Sequence, residues 1–154
     1  MAVNYARLAF AHRMVANFYA NGFHSQARKV LENFGGMAYL QEVQKQMENE
    51  NDSEAENQLA NLLFVWWRFT GDETARDRAA SIWSTMHDGE FGVHATHMLA
   101  YLALMDQSTP PATLLARINR LQRAQEQTFD VERADRLAEL VRRLDQKFWR
   151  CQGK

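Results

Sequence analysis

Apolar residues recur along this chain at intervals of three and four, and short polar or glycine-bearing tracts interrupt them. That interval is the signature of α-helices with one buried face. Alternating runs of Val, Ile and Thr are missing, and no Asn-Gly or Asp-Gly pair is set between such runs, so no strand is expected. The pattern predicts an all-α protein of about eight helices in one domain spanning 1–154.

The first helix is predicted over about 3–20, with Leu8, Ala11, His12, Val15, Phe18 and Tyr19 on one broad face and Gly22 after its end. The second, over about 24–34, aligns Ala27, Val30, Leu31 and Phe34, and Gly35 and Gly36 stop it because glycine accepts the left-handed cap conformation. The third, over about 37–49, carries Met37, Leu40, Val43 and Met47. The tract "ENENDSE" reads as a polar turn, with Ser53 and Glu56 at the spacing of a capping box. The fourth, over about 54–69, is apolar on most sides from Leu62 to Trp67, as suits a helix enclosed by neighbours.

Gly71 and Asp72 supply a stop and a new N-cap. The fifth helix has Ala75, Ala79, Ile82, Trp83 and Met86 as its inner stripe. "HDGEFG" reads as a turn before a sixth helix over about 92–106, which aligns Val93, Thr96, His97, Ala100, Tyr101 and Leu104. Thr109 and Pro110 mark the start of a seventh, over about 110–126, with Leu114, Leu115, Ile118 and Leu121 inward. Asp130 caps the last, whose stripe is Leu137, Leu140, Val141, Leu144 and Phe148.

Several short helices joined by short turns call for a search for internal repeats. Within residues 4–34, Val15 and Phe18 precede Gly22, and Ala27, Leu31 and Phe34 follow it. Residues 57–86 repeat the plan, with Trp67 before Gly71 and Ala79, Trp83 and Met86 after it; a third, looser copy runs over about 93–123 through Ala100, Tyr101 and Ala112. This arrangement resembles the tetratricopeptide repeat, in which a small residue of the second helix packs against large residues of the first. The resemblance implies a right-handed array of antiparallel helix pairs whose concave side holds a peptide or a helix of another protein. In size, charge and helical layout the chain is also similar to small tetratricopeptide-like chaperones and assembly adaptors of bacterial secretion systems.

Composition narrows the alternatives. Apolar residues form 46% of the 154 residues and aromatics 11%, ample for a packed core without disulfide or metal. The net charge of -1 removes the simplest electrostatic case for nucleic acid or an anionic membrane as partner. The most apolar run, "LANLLFVWW" at 59–67, is far short of the roughly 20 residues a membrane-crossing helix needs. Arg7, His12 and Arg13 interrupt the N-terminal apolar segment as no signal peptide would tolerate. A lone cysteine, Cys151, forms no internal disulfide and fits a reducing, cytoplasmic setting.

Candidate chemistry is sparse. "HDGEFGVHATH" gathers His87, Asp88, Glu90, His94 and His97, and the three-residue step from His94 to His97 puts both on one helical face, a conceivable divalent-metal site. Hydrolytic zinc helices space their histidines four apart around a glutamate, and that pattern is missing. Cys151 lacks the electropositive setting of a nucleophile, and no phosphate-binding glycine loop or dinucleotide fingerprint occurs, so no cofactor, metal or catalytic residue is assigned.

Residues 114–150 carry nine Lys and Arg against six acids, with Arg117, Arg120 and Arg123 on one face, an alternative nucleic-acid contact. Interleaved acids favour an ordinary solvated face, and the aromatics that single-stranded nucleic acid would want there are only Phe129, Phe148 and Trp149. Tyr19, Tyr39, Trp66, Trp67 and Tyr101 are the candidate anchors for a protein partner, since aromatic residues supply much of the energy at interfaces. Trp66 and Trp67 diverge by roughly 100° on a helix, so one is expected in the core and the other in a groove. The last helix, with its narrow stripe, is a candidate for docking on a second copy.

Overall fold

In the computed structural model, which describes residues 3–86, 89–128 and 130–152, every regular element among the described residues is an α-helix. The order is α1 (Tyr5–Ala20), α2 (His24–Phe34), α3 (Gly36–Gln46), α4 (Ser53–Thr70), α5 (Glu73–Ser84), α6 (Gly89–Met105), α7 (Pro111–Glu126) and α8 (Val131–Gln152). The chain divides into two compact units, Met1–Ile82 and Trp83–Lys154, with the boundary in the last turn of α5.

In the first unit, Asn4 caps α1 by accepting the Arg7 amide at 3.0 Å, and Leu8, Ala11 and Val15 are its buried stripe. Gly22, at φ +80°, reverses the chain into α2, which buries Ala27 and Leu31. Gly35 ends α2 at φ +119° and α3 begins at once with a buried Gly36 at φ +59°. Both angles lie where a side chain is strained, which is why the helix breaks at this pair.

The start of α4 differs from the expected capping box. Asp52, not Ser53, takes the cap position, its Oδ1 accepting the Ala55 amide at 3.0 Å, and Ser53 is the first helical residue. A carboxylate one residue earlier fills the acceptor role with the added attraction of the helix N-terminus. Leu62, Leu63, Phe64 and Val65 are all buried, as four consecutive residues can be only when neighbours surround the helix. Those neighbours are α1, α2 and α3, all in contact with α4.

The pairs His12–Asn61 and Tyr19–Phe69 join α1 to α4 in ascending order along both helices, so the two run parallel. Gly71, at φ +74°, follows Gly22 at the same interval of 49 that separates His12 from Asn61. The first helices of the two sequence copies thus lie side by side in one direction and end on matching glycine turns, as stacked helix pairs do. The arrangement is consistent with a helical-repeat fold. In α5 the buried small residues are Ala75 and Ala79, so Ala75 rather than Ala79 stands nearest in spacing to Ala27 after its turn glycine.

The second unit packs α6, α7 and α8 on one another. Its core joins Ala100 and Ala103 of α6, Leu114, Ile118 and Leu121 of α7, and Leu137, Leu140 and Leu144 of α8, with Val141 and Phe148 at the edge. α6 starts at Gly89, so much of the segment expected as a turn is helical; Thr96 Oγ1 donates to the Gly92 carbonyl at 2.8 Å within it. At its other end Lys147 Nζ donates to the carbonyls of Ala103 (2.6 Å), Leu104 (3.1 Å) and Asp106 (2.8 Å), satisfying groups the helix terminus leaves open. Pro110 caps α7 and Pro111 opens it, one position later than the Thr109 start expected. Asp130 Oδ1 accepts the amides of Glu132 (3.0 Å) and Arg133 (3.3 Å) and caps α8. No described helix is long and apolar enough to cross a membrane.

Candidate functional site

Partly exposed aromatics of the first unit gather in two clusters. In one, Phe10 of α1 leans on Phe34 of α2 with ring centroids 6.4 Å apart, and Phe34 lies 5.5 Å from Tyr39 of α3. The Arg7 guanidinium sits 4.8 Å from the Phe34 centroid and 4.6 Å from that of Tyr39, and its Nη2 donates to the Phe34 carbonyl at 3.3 Å. One arginine therefore joins three helices, stacking on two rings while capping the last carbonyl of α2. Phe10 keeps 49% of its surface in solvent. Burial pushes the Tyr39 hydroxyl above its ordinary pKa, partly offset by the positive charge of Arg7.

The other cluster stands at the far end of α1. Tyr19 stacks on His24 at 5.1 Å, and Phe69 of α4 lies 6.1 Å from Tyr19 and 5.6 Å from His24. Beside it Phe18 meets Phe23 edge to face at 6.5 Å, and Phe23 is 55% exposed. Twelve residues of helix separate Arg7 from Tyr19, about 18 Å along the axis.

Of the five aromatics expected from the sequence as anchors, Tyr19, Tyr39, Trp66 and Trp67 lie in the first unit. Tyr19 belongs to the second cluster and Tyr39 to the first. Trp66 lays its indole on the Gly36 backbone, where a Cβ would stand 2.9 Å from its Cη2, and its Nε1 is buried without a hydrogen-bond partner. Trp67 packs on Phe64 at 6.0 Å, with Arg68 5.9 Å over its ring. Neither tryptophan is fully buried, so the expected division into one core and one groove residue is not sharp. Tyr101 lies in the second unit and is 39% exposed.

Arg7, Phe10, His24, Phe34 and Phe69 complete the two clusters and are not among the expected anchors. The sequence offered one trace of them: Arg7 interrupts an apolar face, as a side chain does when its stem packs on aromatics and its head caps a helix.

Of the histidine group, His87 and Asp88 lie outside the described residues. His94 meets Trp83 edge to face at 5.9 Å. The His97 pKa is lowered by burial and then by the positive charges of Arg136 and Arg133, surroundings that oppose a cation. Among the described residues no three His, Cys, Asp or Glu side chains stand close enough to hold a metal ion. Arg120 of α7 is committed to the fold: its Nε donates to Thr96 Oγ1 at 2.9 Å, and its two terminal nitrogens donate to the carbonyls of Trp83 and Met86. No protein-family profile matches this chain, nor does any curated protein or solved structure.

Proposed function

We propose that the chain is a non-catalytic adaptor or chaperone that binds a peptide or helix of another protein through its first unit. The observation that carries this reading is the pair of half-exposed aromatic clusters at the two ends of α1, with Phe10 at 49% and Phe23 at 55% exposure. Exposed apolar side chains that cluster, rather than stand singly, mark interaction surfaces, and preorganised aromatics lose little entropy on binding. The parallel α1 and α4, with matching glycine turns, support the tetratricopeptide-like element of the proposal. A cytoplasmic role in secretion or assembly fits the single, exposed Cys151 and the layout of the chain.

The test is capture of the tagged chain from its own cells, beside the double variant Phe10→Ser and Phe23→Ser. The proposal expects one stoichiometric protein partner that the double variant loses while its circular dichroism stays unchanged. Equal capture by both forms would overturn it.

A further inference from the structure

Charge around the exposed aromatics of α1 and α2 is almost all of one sign. α1 holds Arg7 and Arg13 and no acid, and α2 adds Arg28 and Lys29 against the single carboxylate of Glu32. That carboxylate is taken by Arg28, whose Nε donates to it at 2.8 Å. Arg7 and Arg13 are both exposed, and neither is paired with a carboxylate among the described residues. Arg7 uses only one of the five N–H donors of a guanidinium, on the Phe34 carbonyl.

The two cations stand one helical turn to either side of Phe10, itself 49% exposed. From Phe10 an apolar stripe runs at steps of four through Met14 to Phe18, both half-buried, and Phe18 meets the exposed Phe23 edge to face. Phe34 flanks its other end. The stripe extends about 12 Å along α1, the reach of about two turns of a partner helix.

Unpaired cations at the edge of an apolar stripe select what covers it. A neutral segment would desolvate the guanidinium groups without a counter-charge, and a basic one would be repelled. A segment with carboxylates one turn to either side of an apolar anchor meets a complement at all three positions. A long polyanion fits less well, because the first unit as a whole carries ten acids against eight Lys and Arg, with six of the acids within 42–56. The chain's own acidic tract at 48–56 has no large apolar residue to seat on the rings, so a second copy is not the natural occupant.

Resting on the adaptor reading above, we propose that the outer face of α1 and α2 binds an acidic amphipathic segment of another protein, its apolar side chains on Phe10, Met14 and Phe18 and its carboxylates on Arg7 and Arg13.

The test is fluorescence anisotropy with labelled, blocked peptides: the heptad Leu-Glu-Glu-Leu-Leu-Glu-Glu repeated twice, and the same peptide with Lys for every Glu. An oligothymidine of equal length is the third probe. The acidic peptide is expected to bind at least about tenfold more tightly than the basic one, by a margin that shrinks as sodium chloride is added. Arg13→Glu, at an exposed and unpaired position, is expected to weaken the acidic peptide about fivefold with unchanged circular dichroism, and Phe10→Ser to weaken it as well. Equal affinity for the two peptides, both lost in Phe10→Ser, overturns the acidic assignment and leaves the adaptor reading standing. No binding of the acidic peptide, or unchanged affinity in Arg13→Glu, also overturns it. Tighter binding of the oligothymidine assigns the face to nucleic acid instead, and self-association in sedimentation that Arg13→Glu abolishes assigns it to a second copy.

Discussion

Asn61 Nδ2 and His12 Nε2 stand 3.2 Å apart across the contact between α4 and α1. With the amide as donor, the imidazole is neutral and carries its proton on Nδ1. Burial lowers the His12 pKa from its ordinary 6.5.

A group more easily protonated in the unfolded chain weakens the fold as pH falls. Stability is therefore expected to be level above pH 6.5, to fall below it toward the native pKa of His12, and to level again once both states are charged. His97 acts in the same direction. Glu56, whose pKa burial and then Asp52 raise, acts oppositely near pH 4.5 and above, since protonation relieves its cost. Urea unfolding at pH 7.5 and 5.5 checks this: His12→Gln is expected to reduce the difference between the two midpoints, and an unaltered difference would exclude His12 as its source.

Gly36 and Gly22 separate backbone strain from steric conflict. Alanine at Gly22 meets nothing within 4 Å and bears only the left-handed backbone cost, about 1 kcal/mol. Alanine at Gly36 has a similar backbone cost and in addition presses into the Trp66 ring 2.9 Å away, for a total of about 3 kcal/mol. Equal midpoints for the two variants in chemical denaturation would show that the indole moves aside freely.

Arg120→Lys keeps a positive charge on α7, but an ammonium cannot reach Thr96 and the carbonyls of Trp83 and Met86 as the planar guanidinium does. A loss of about 2 kcal/mol is expected from these bonds. Amide hydrogen exchange around residues 83–86 should rise with it. Exchange confined to its wild-type rate would mean the carbonyls find other donors.

Arg7→Leu tests whether the first aromatic cluster is organised by its cation. The variant loses the stacking on Phe34 and Tyr39 and the bond to the Phe34 carbonyl, about 1–2 kcal/mol in all. The Tyr39 pKa should rise further, because Arg7 is the charge that now holds it down. Spectrophotometric titration of the tyrosines reads that shift directly.

The helices and most of their ends follow from signals within short stretches of the chain. Helical periodicity, Gly22, Gly35, Gly71, Asp72 and Asp130 are local signals, acting through φ angles and caps within a few residues. The sequence also marked α4 as central, since an all-round apolar segment has to be enclosed. It erred where two local readings compete, as at Ser53 beside Asp52 or in the segment before His94, because capping energies differ by little and packing selects between them.

Which surfaces meet is settled by packing between helices and not by any local signal. The parallel course of α1 and α4, the seat of Arg7 between Phe34 and Tyr39, and the approach of Arg78 to Gln44 across 34 residues all depend on how helices pack. No periodicity within one helix encodes that choice. The burial of a helix face sets which residues turn inward, while the complementarity of side chains far apart in the chain sets what they turn toward.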